Sequence, residues 1–148
     1  NDISVSPAGV VYVSDSRKGY IYRLMNGTLE KWMEGLDGVN GLYCMGKDLL
    51  LAGTENSIVQ IITTSKRKSA LVPETGSIDG LVNCGKNAYL FSDWAGSVYR
   101  VVVGNRKELL LNTSGAGINA ADIDYIPLKR LLIVPTFSDN RVMAYELK

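Results

Sequence analysis

The sequence predicts an all-β protein of the β-propeller class, built from four repeats of about 40 residues each. Three observations support this fold class. A short motif recurs along the chain, each repeat contains several runs rich in β-branched and aromatic residues, and turn-forming residues bound these runs. No stretch shows a sustained i, i+3, i+4 apolar pattern with capping residues, so we expect helix to be almost absent.

The first run of each repeat predicts an inner strand. These runs lie at 1–5, 40–44, 79–83 and 121–125. The spacing is nearly constant: Ile3 to Leu42 and Leu42 to Leu81 are both 39 residues, and Leu81 to Ile123 is 42 residues. Such a small drift indicates that each copy has the same structure.

Three further runs complete the repeat. The second runs lie at 11–15, 50–53, 90–93 and 133–136, the third at 20–24, 57–61, 97–101 and 141–145, and the fourth at 29–33, 70–72 and 109–111. Four antiparallel strands in such a unit are typical of a propeller blade. The predicted repeats are 1–36, 37–76, 77–117 and 118–148, which form a single propeller region.

The last repeat lacks its outer strand, and the chain begins directly at an inner strand. We therefore expect the C-terminal part of a larger, six-bladed ring whose first blades lie upstream. Two alternatives stay open, a small four-bladed ring and an open arc that a second chain completes. If an N-terminal segment has been removed, the sequence does not identify the cellular compartment. A periplasmic or secreted location and a cytoplasmic location are both left as alternatives.

Composition excludes several function classes. Sixteen Lys and Arg against fifteen Asp and Glu give a formal charge of +1, which does not favour nucleic acid or an anionic membrane as a partner. The chain has no histidine, so it contains no Ser-His-Asp triad and no His-ligated zinc. Cys44 and Cys84 lie in apolar stretches and are expected to be buried free thiols.

Polar residues recur where inner strands start and second strands end, and in a propeller blade these two places share one mouth of the central channel. The strand starts are Asn1, Asn40, Asp79 and Ala121, and the strand ends are Asp15, Gly53, Asp93 and Thr136. Amide and carboxylate oxygens suit a hard divalent cation, and they also suit sugar hydroxyls.

Each of these residues also has a structural interpretation. Asn40 and Asp79 are favoured as ligands, because successive repeats carry an oxygen donor at the same place. Asp15 and Asp93 are favoured as turn residues, since Asp side chains often bond the backbone of a tight turn. Trp94 either stacks on a ligand or packs between blades. The basic run 66–68 is expected to be a solvated hairpin between the third and fourth strands.

Segments 1–3, 11–16, 39–42 and 78–81 together resemble the senescence-marker-protein and gluconolactonase family of six-bladed propellers, which includes regucalcin-like lactonases. The resemblance covers essentially the whole chain. It implies one divalent ion at the channel mouth, with Asn40 as the amide ligand and Asp79 as the carboxylate ligand. It also implies that Asn1 is a substrate-binding amide. The family's first-blade Glu ligand has no counterpart in this sequence.

The function that this resemblance implies is a metal-dependent lactone or ester hydrolase. Calcium is the favoured ion, with Mg²⁺, Zn²⁺ and Mn²⁺ as alternatives, and Asp79 is the expected catalytic base. Asn1 and Trp94 are expected to contact a small substrate, a sugar lactone or ester. The alternative is a non-catalytic, NHL-like propeller that binds a sugar, a peptide or a partner protein.

Overall fold

The computed structural model describes residues 1–147. Within that range the chain forms β-strands joined by short turns. They are β1 (Ile3–Val5), β2 (Val11–Asp15), β3 (Tyr20–Met25), β4 (Thr28–Met33), β5 (Leu42–Cys44), β6 (Leu49–Gly53), β7 (Ser57–Ile62), β8 (Arg67–Pro73), β9 (Leu81–Gly85), β10 (Ala88–Ser92), β11 (Ser97–Val102), β12 (Glu108–Asn112), β13 (Asp124–Ile126), β14 (Leu131–Pro135) and β15 (Val142–Glu146).

The strands form four antiparallel sheets in which chain neighbours pair. The orders are β1-β2-β3-β4, β5-β6-β7-β8, β9-β10-β11-β12 and β13-β14-β15. The registers repeat as well, because Ile3 pairs with Val13 in the first sheet and Leu42 pairs with Ala52 in the second. The prediction of an all-β propeller with four repeats is confirmed, including the missing outer strand of the last one.

The helical content of the described chain is restricted to three short 3₁₀ turns, Ser114–Ala116, Pro127–Lys129 and Phe137–Asp139. The prediction of almost no helix is therefore confirmed. No helix within residues 1–147 is long and apolar enough to cross a membrane. The final residue of the predicted fourth repeat, Lys148, lies outside the described residues.

The basic run 66–68 lies in the predicted hairpin, between the third and fourth strands of the second repeat. Strand β8 already begins at Arg67, which pairs with Ile62, so only Lys66 of the three stays in the turn, with a positive φ of 57°. The Lys68 ammonium donates a hydrogen bond to the Gly35 carbonyl at 2.7 Å. All three residues of the run are exposed, as predicted, and cross-strand pairing extends β8 back to Arg67, beyond its apolar residues.

The chain divides into two compact units, Asn1–Ile78 and Asp79–Lys148. In the first unit the sheets β1–β4 and β5–β8 share a core that includes Tyr12, Ile21 and Trp32 from one sheet and Leu50 and Ile61 from the other. The rings of Tyr12 and Trp32 meet edge to face, with centroids 5.0 Å apart. Burying these large side chains stabilises the pair of sheets.

The second unit has its own core, formed between the sheets β9–β12 and β13–β15. Val82, Leu90 and Val98 pack there against Ile123 and Leu132, and all are buried. The alternation along β14 places Leu132 and Val134 in this core, as expected for a strand that has one apolar face, whereas all five residues of β10 are buried.

Candidate functional site

The strand starts predicted from the sequence occupy equivalent positions in all four repeats. The backbone amide of Asn40 donates a hydrogen bond to the Gly53 carbonyl at 3.0 Å, and the backbone amide of Asp79 donates one to the Ser92 carbonyl at 2.8 Å. The matching donor and acceptor are the Asn1 amino group and the Ser14 carbonyl in the first repeat, and the Ala121 amide and the Pro135 carbonyl in the last. Each strand start is therefore fixed beside the end of the second strand of its own repeat.

Asn40 and Asp79 are both half-buried, and they belong to different units. Each is described within its own unit. Their assignment as ligands of one ion stays a prediction.

Asn1 is exposed, and its side-chain amide donates a hydrogen bond to the Ser16 hydroxyl at 2.7 Å. It lines a cavity of about 500 Å³ together with Asp15, Arg17 and Tyr22. The cavity is open and polar at this edge, so Asn1 is accessible to a small molecule. Its role as a substrate-binding residue is still a prediction.

Asp15 and Asp93 hold turns, as predicted. One carboxylate oxygen of Asp93 accepts hydrogen bonds from the amides of Gly96 at 3.0 Å and Ser97 at 3.1 Å. Asp15 accepts one from the Lys18 amide at 3.2 Å. These local bonds replace water as the partner of the turn backbone.

The second repeat corrects one strand-end assignment. Thr54, rather than Gly53, is the counterpart of Asp93, since the Thr54 amide donates to the Ser57 carbonyl just as the Asp93 amide donates to the Ser97 carbonyl. Gly53, one position earlier, is the equivalent of Ser92. A Cβ at Gly53 would come within 2.4 Å of the Ile78 side chain.

Two buried serines were not singled out from the sequence. The Ser14 hydroxyl accepts a hydrogen bond from the Asp2 amide, and the Ser92 hydroxyl accepts one from the Gly80 amide, both at 2.9 Å. Both serines precede an aspartate at a strand end, so the Ser-Asp pair was the available signal. They fix the backbone just after the strand starts.

The carboxylates that follow two of the strand starts also bond to backbone. Asp2 accepts hydrogen bonds from the amides of Ile3 and Leu42, and so links the two sheets of the first unit. Asp122 accepts one from the Ile123 amide at 2.8 Å. In the last repeat, Ala121 has no side-chain oxygen, and the carboxylate of the neighbouring Asp122 bonds to the local backbone.

The donor chemistry of Asn40 and Asp79 fits a hard cation such as Ca²⁺, which takes oxygen ligands. The number of donors is smaller than the six to eight that Ca²⁺ takes. Within residues 1–147, no group of three or more Asp, Glu, Cys or His side chains is placed to hold a metal ion. The assignment of Asn40 and Asp79 as metal ligands therefore stays a prediction.

The two cysteines are free thiols, as predicted, and both are half-buried. Burial raises the pKa of each thiol, and hydrogen bonds with Ser4 at Cys44 and with Arg100 at Cys84 oppose that shift. A raised pKa reduces the fraction of thiolate, which is the reactive form of cysteine, near neutral pH.

Trp94 lies on the surface with 48% of its area exposed. Its ring meets that of Phe137 edge to face, with centroids 4.8 Å apart and an angle of 63° between the planes. Phe137, which was not singled out from the sequence, is 66% exposed. The signal for it was its place after the strand end of the fourth repeat, which matches the place of Trp94 in the third.

No model of a known protein family matches the chain, and no curated protein sequence matches it. Solved structures do resemble it. A catalytically inactive variant of virginiamycin B lyase from Staphylococcus aureus, solved with quinupristin, has a TM-score of 0.76 at 15% identity, over 99% of this chain and 51% of the lyase chain. A proposed gluconolactonase has a TM-score of 0.73 at 18% identity, over 99% and 57%.

The computationally designed protein Ika4 has a TM-score of 0.63 at 13% identity, over 99% of this chain and 92% of its own. The chain thus spans about half the length of the lyase and of the proposed gluconolactonase, at 51% and 57%. At these identities the likeness shows the fold alone, a β-propeller.

Proposed function

We propose that this chain is part of a divalent-metal-dependent lactone or ester hydrolase of the gluconolactonase type. The observation that carries the proposal is that Asn40 and Asp79 occupy equivalent positions in successive repeats. The backbone amide of each donates the same hydrogen bond to the second strand of its own repeat. Equivalent strand starts in a propeller surround one mouth of its channel, so an amide and a carboxylate oxygen would be presented toward it.

In the proposed site Asn40 and Asp79 would hold the ion, with Ca²⁺ as the favoured species and Mg²⁺, Zn²⁺ or Mn²⁺ as alternatives. A bound divalent ion supplies Lewis acidity that polarises the lactone carbonyl. Asp79 would accept the proton of the attacking water, because a chain without histidine has carboxylates as its ready general bases. Asn1 and Trp94 would contact the sugar part of the substrate.

The experiment compares Asp79→Ala and Asn40→Ala with the unchanged sequence, in each case in the full-length protein of which this chain is proposed to be a part. Calcium binding is measured by isothermal titration calorimetry, and hydrolysis of a panel of sugar lactones is followed by acid release. Asp79→Ala should abolish both, because it removes the charge and the base together. Asn40→Ala should weaken calcium binding yet keep some rate at high calcium, because an amide contributes coordination without charge.

Asp93→Ala is the matched control, since this carboxylate holds a turn and is not expected to contact the ion. If Asp79→Ala kept hydrolysis and calcium affinity while Asp93→Ala lost both, the two roles would be reversed. If the full-length protein with the unchanged sequence hydrolysed no lactone in the panel at any calcium concentration, the hydrolase proposal would fail.

The second candidate is a non-catalytic propeller that binds a sugar, a peptide or a partner protein. The exposed aromatic pair of Trp94 and Phe137 favours it, because such an apolar surface is typical of a binding site whether or not chemistry takes place there. Ligand binding that persists in Asp79→Ala without any hydrolysis by the unchanged chain would support this candidate.

A further inference from the structure

Trp94 and Phe137 form an exposed aromatic pair on the second unit, here called the aromatic platform. Their exposed fractions are 48% and 66%, whereas the other tryptophan, Trp32, is 2% exposed. Two large rings in contact with each other and open to solvent leave apolar surface without cover. Contiguous exposed apolar surface of this kind commonly marks a site of interaction.

The fold does not require aromatic residues at these places. Trp94 follows the strand-end residue Asp93, and Phe137 follows the equivalent residue Thr136. In the first and second repeats the same position is occupied by Ser16 and Glu55. Since two blades of the same topology form without an aromatic side chain there, the platform is a feature added to the propeller.

The backbone holds both rings in place. Asp93 closes the turn beneath Trp94 through two hydrogen bonds to backbone amides, at 3.0 and 3.1 Å. The Thr136 hydroxyl closes the loop of Phe137 by donating to the Arg141 carbonyl at 2.9 Å and accepting from the Arg141 amide at 3.0 Å. These hydrogen bonds restrain the backbone that carries both rings, so the backbone has little freedom to lose on binding.

Phe137 has an unusual backbone conformation, with a φ of 44°. Positive φ is disfavoured for a bulky residue, and asparagine or glycine is the common choice there. Because the Phe137 side chain is mainly exposed, its burial contributes little free energy to offset this backbone strain. Its presence at this position is therefore better explained by contact with a ligand than by packing of the fold.

The groups around the platform are polar. The Asn119 side chain donates a hydrogen bond to the Trp94 carbonyl at 3.0 Å, and Asp139 accepts one from Arg141 at 2.6 Å. The hydrogen bond from Arg141 holds the pKa of Asp139 below its usual range, which favours the ionised carboxylate. An apolar surface with hydrogen-bonding groups beside it matches a ligand that has an apolar face and a rim of hydroxyls.

We infer that the aromatic platform binds the apolar face of a pyranose ring, with Phe137 as a ligand contact beside Trp94. Because the two aromatic rings meet edge to face, the C–H bonds on one face of the sugar ring point toward the face of one aromatic ring and contact the edge of the other, and the sugar hydroxyls extend to the polar groups alongside. The inference extends the proposed function by naming the ring class of the substrate. It does not depend on hydrolysis, because a methyl glycoside has no lactone bond to break.

The experiment uses the unchanged chain with EDTA present and methyl glycosides of glucose, galactose and xylose, plus cellotriose, as probes. Fluorescence quenching by acrylamide reports on Trp94, because Trp32 is buried. A bound sugar should protect Trp94 from the quencher in a saturable manner. Saturation-transfer NMR, which observes the sugar itself, then measures affinity for variants that lack the tryptophan.

Phe137→Asn is the sharpest variant, because asparagine tolerates positive φ and the loop should keep its shape. It should weaken sugar binding about tenfold, and Trp94→Ala should do the same, while Trp94→Phe should retain part of the affinity. Leu128→Ala is the control, since Leu128 is fully exposed in a different loop of the same unit. It should leave sugar affinity unchanged.

Three outcomes would overturn the inference: no saturable binding of any probe, unchanged sugar affinity in both Trp94→Ala and Phe137→Asn, or stronger protection of Trp94 by a proline-rich peptide than by any sugar. A large fall in the melting temperature of both variants without any sugar binding would assign the rings to packing. Sugar binding by a chain that hydrolyses no lactone would support the platform while the hydrolase proposal failed.

Discussion

At the scale of single residues, carboxylates at the strand starts and strand ends have different partners although they look alike in the sequence. Asp2 and Asp122 accept hydrogen bonds from backbone amides that follow them, and Asp93 accepts two from its own turn. Asp79 lies at the strand start itself, where its amide is bonded to the Ser92 carbonyl. Position relative to the turn, and not residue type, distinguishes a turn residue from a candidate ligand.

Asp93→Ala tests this distinction. The variant leaves the amides of Gly96 and Ser97 without their side-chain acceptor, so the free energy of unfolding should fall by about 1–2 kcal/mol. Thermal melts by circular dichroism should show the midpoint falling by roughly 3–8 °C. Asp37→Ala, at an exposed position of the other unit, is the control and should melt within about 1 °C of the unchanged chain.

The turn interpretation would be contradicted by an Asp93→Ala midpoint equal to that of the control. The role of Asp93 could be predicted from the sequence because an Asp that caps its own turn is a local feature. The roles of Ser14 and Ser92 could not, because their hydroxyls bond to amides 12 residues away, and that proximity exists only after the strands pair.

At the scale of elements, close approach between neighbouring sheets explains the glycine that follows Asp79. A Cβ on Gly80 would lie 2.5 Å from the Ile123 amide nitrogen and 2.8 Å from a carboxylate oxygen of Asp122. These are backbone and backbone-bonded groups, which cannot move aside easily. The glycine that follows the proposed ligand Asp79 is thus required by packing within the second unit.

Gly80→Ala should therefore destabilise the chain by about 1–3 kcal/mol, the usual cost of forcing atoms into a packed interior. Chemical denaturation followed by fluorescence measures the change. Gly115→Ala is the matched control in the same unit, since a Cβ there meets no atom within 4 Å. Equal stability of the two variants would show that the sheets can separate at Gly80 without cost.

Strand bounds show what the sequence does and does not specify about elements. The apolar run of the first repeat placed β2 at its observed bounds, where buried and half-buried residues alternate, whereas the run predicted at 90–93 begins two residues after the start of β10, which is buried throughout. They missed the start of β8 at Arg67, because that part of the strand is exposed and exists through its pairing with Ile62 of β7. Phe137 was missed for a similar reason, since its contact with Trp94 joins two repeats.

At the scale of the whole molecule, the repeat relates an exposed face to a buried one. Ile3 and Val5 of the first sheet are 61% and 57% exposed. Their equivalents 39 residues later are Leu42 and Cys44, and these pack into the core of the first unit. The same apolar positions are therefore exposed in the first sheet and covered in the second. The exposed face of the first sheet has the composition of a buried surface.

The last prediction is that this face makes the chain self-associate. Exposed apolar residues and open strand edges favour pairing with another molecule, so sedimentation velocity should show an average mass that rises with concentration. Val5→Lys places a charge on the face and should shift the distribution toward monomer. Leu128→Lys adds the same charge at a fully exposed residue that is not on the face, and it should leave association unchanged.

A single monomeric species at every concentration, with one cooperative thermal transition, would contradict the prediction and favour the closed four-bladed ring. Association that both variants reduce equally would assign the effect to net charge, because the two substitutions change charge alike and differ in their place on the sheet.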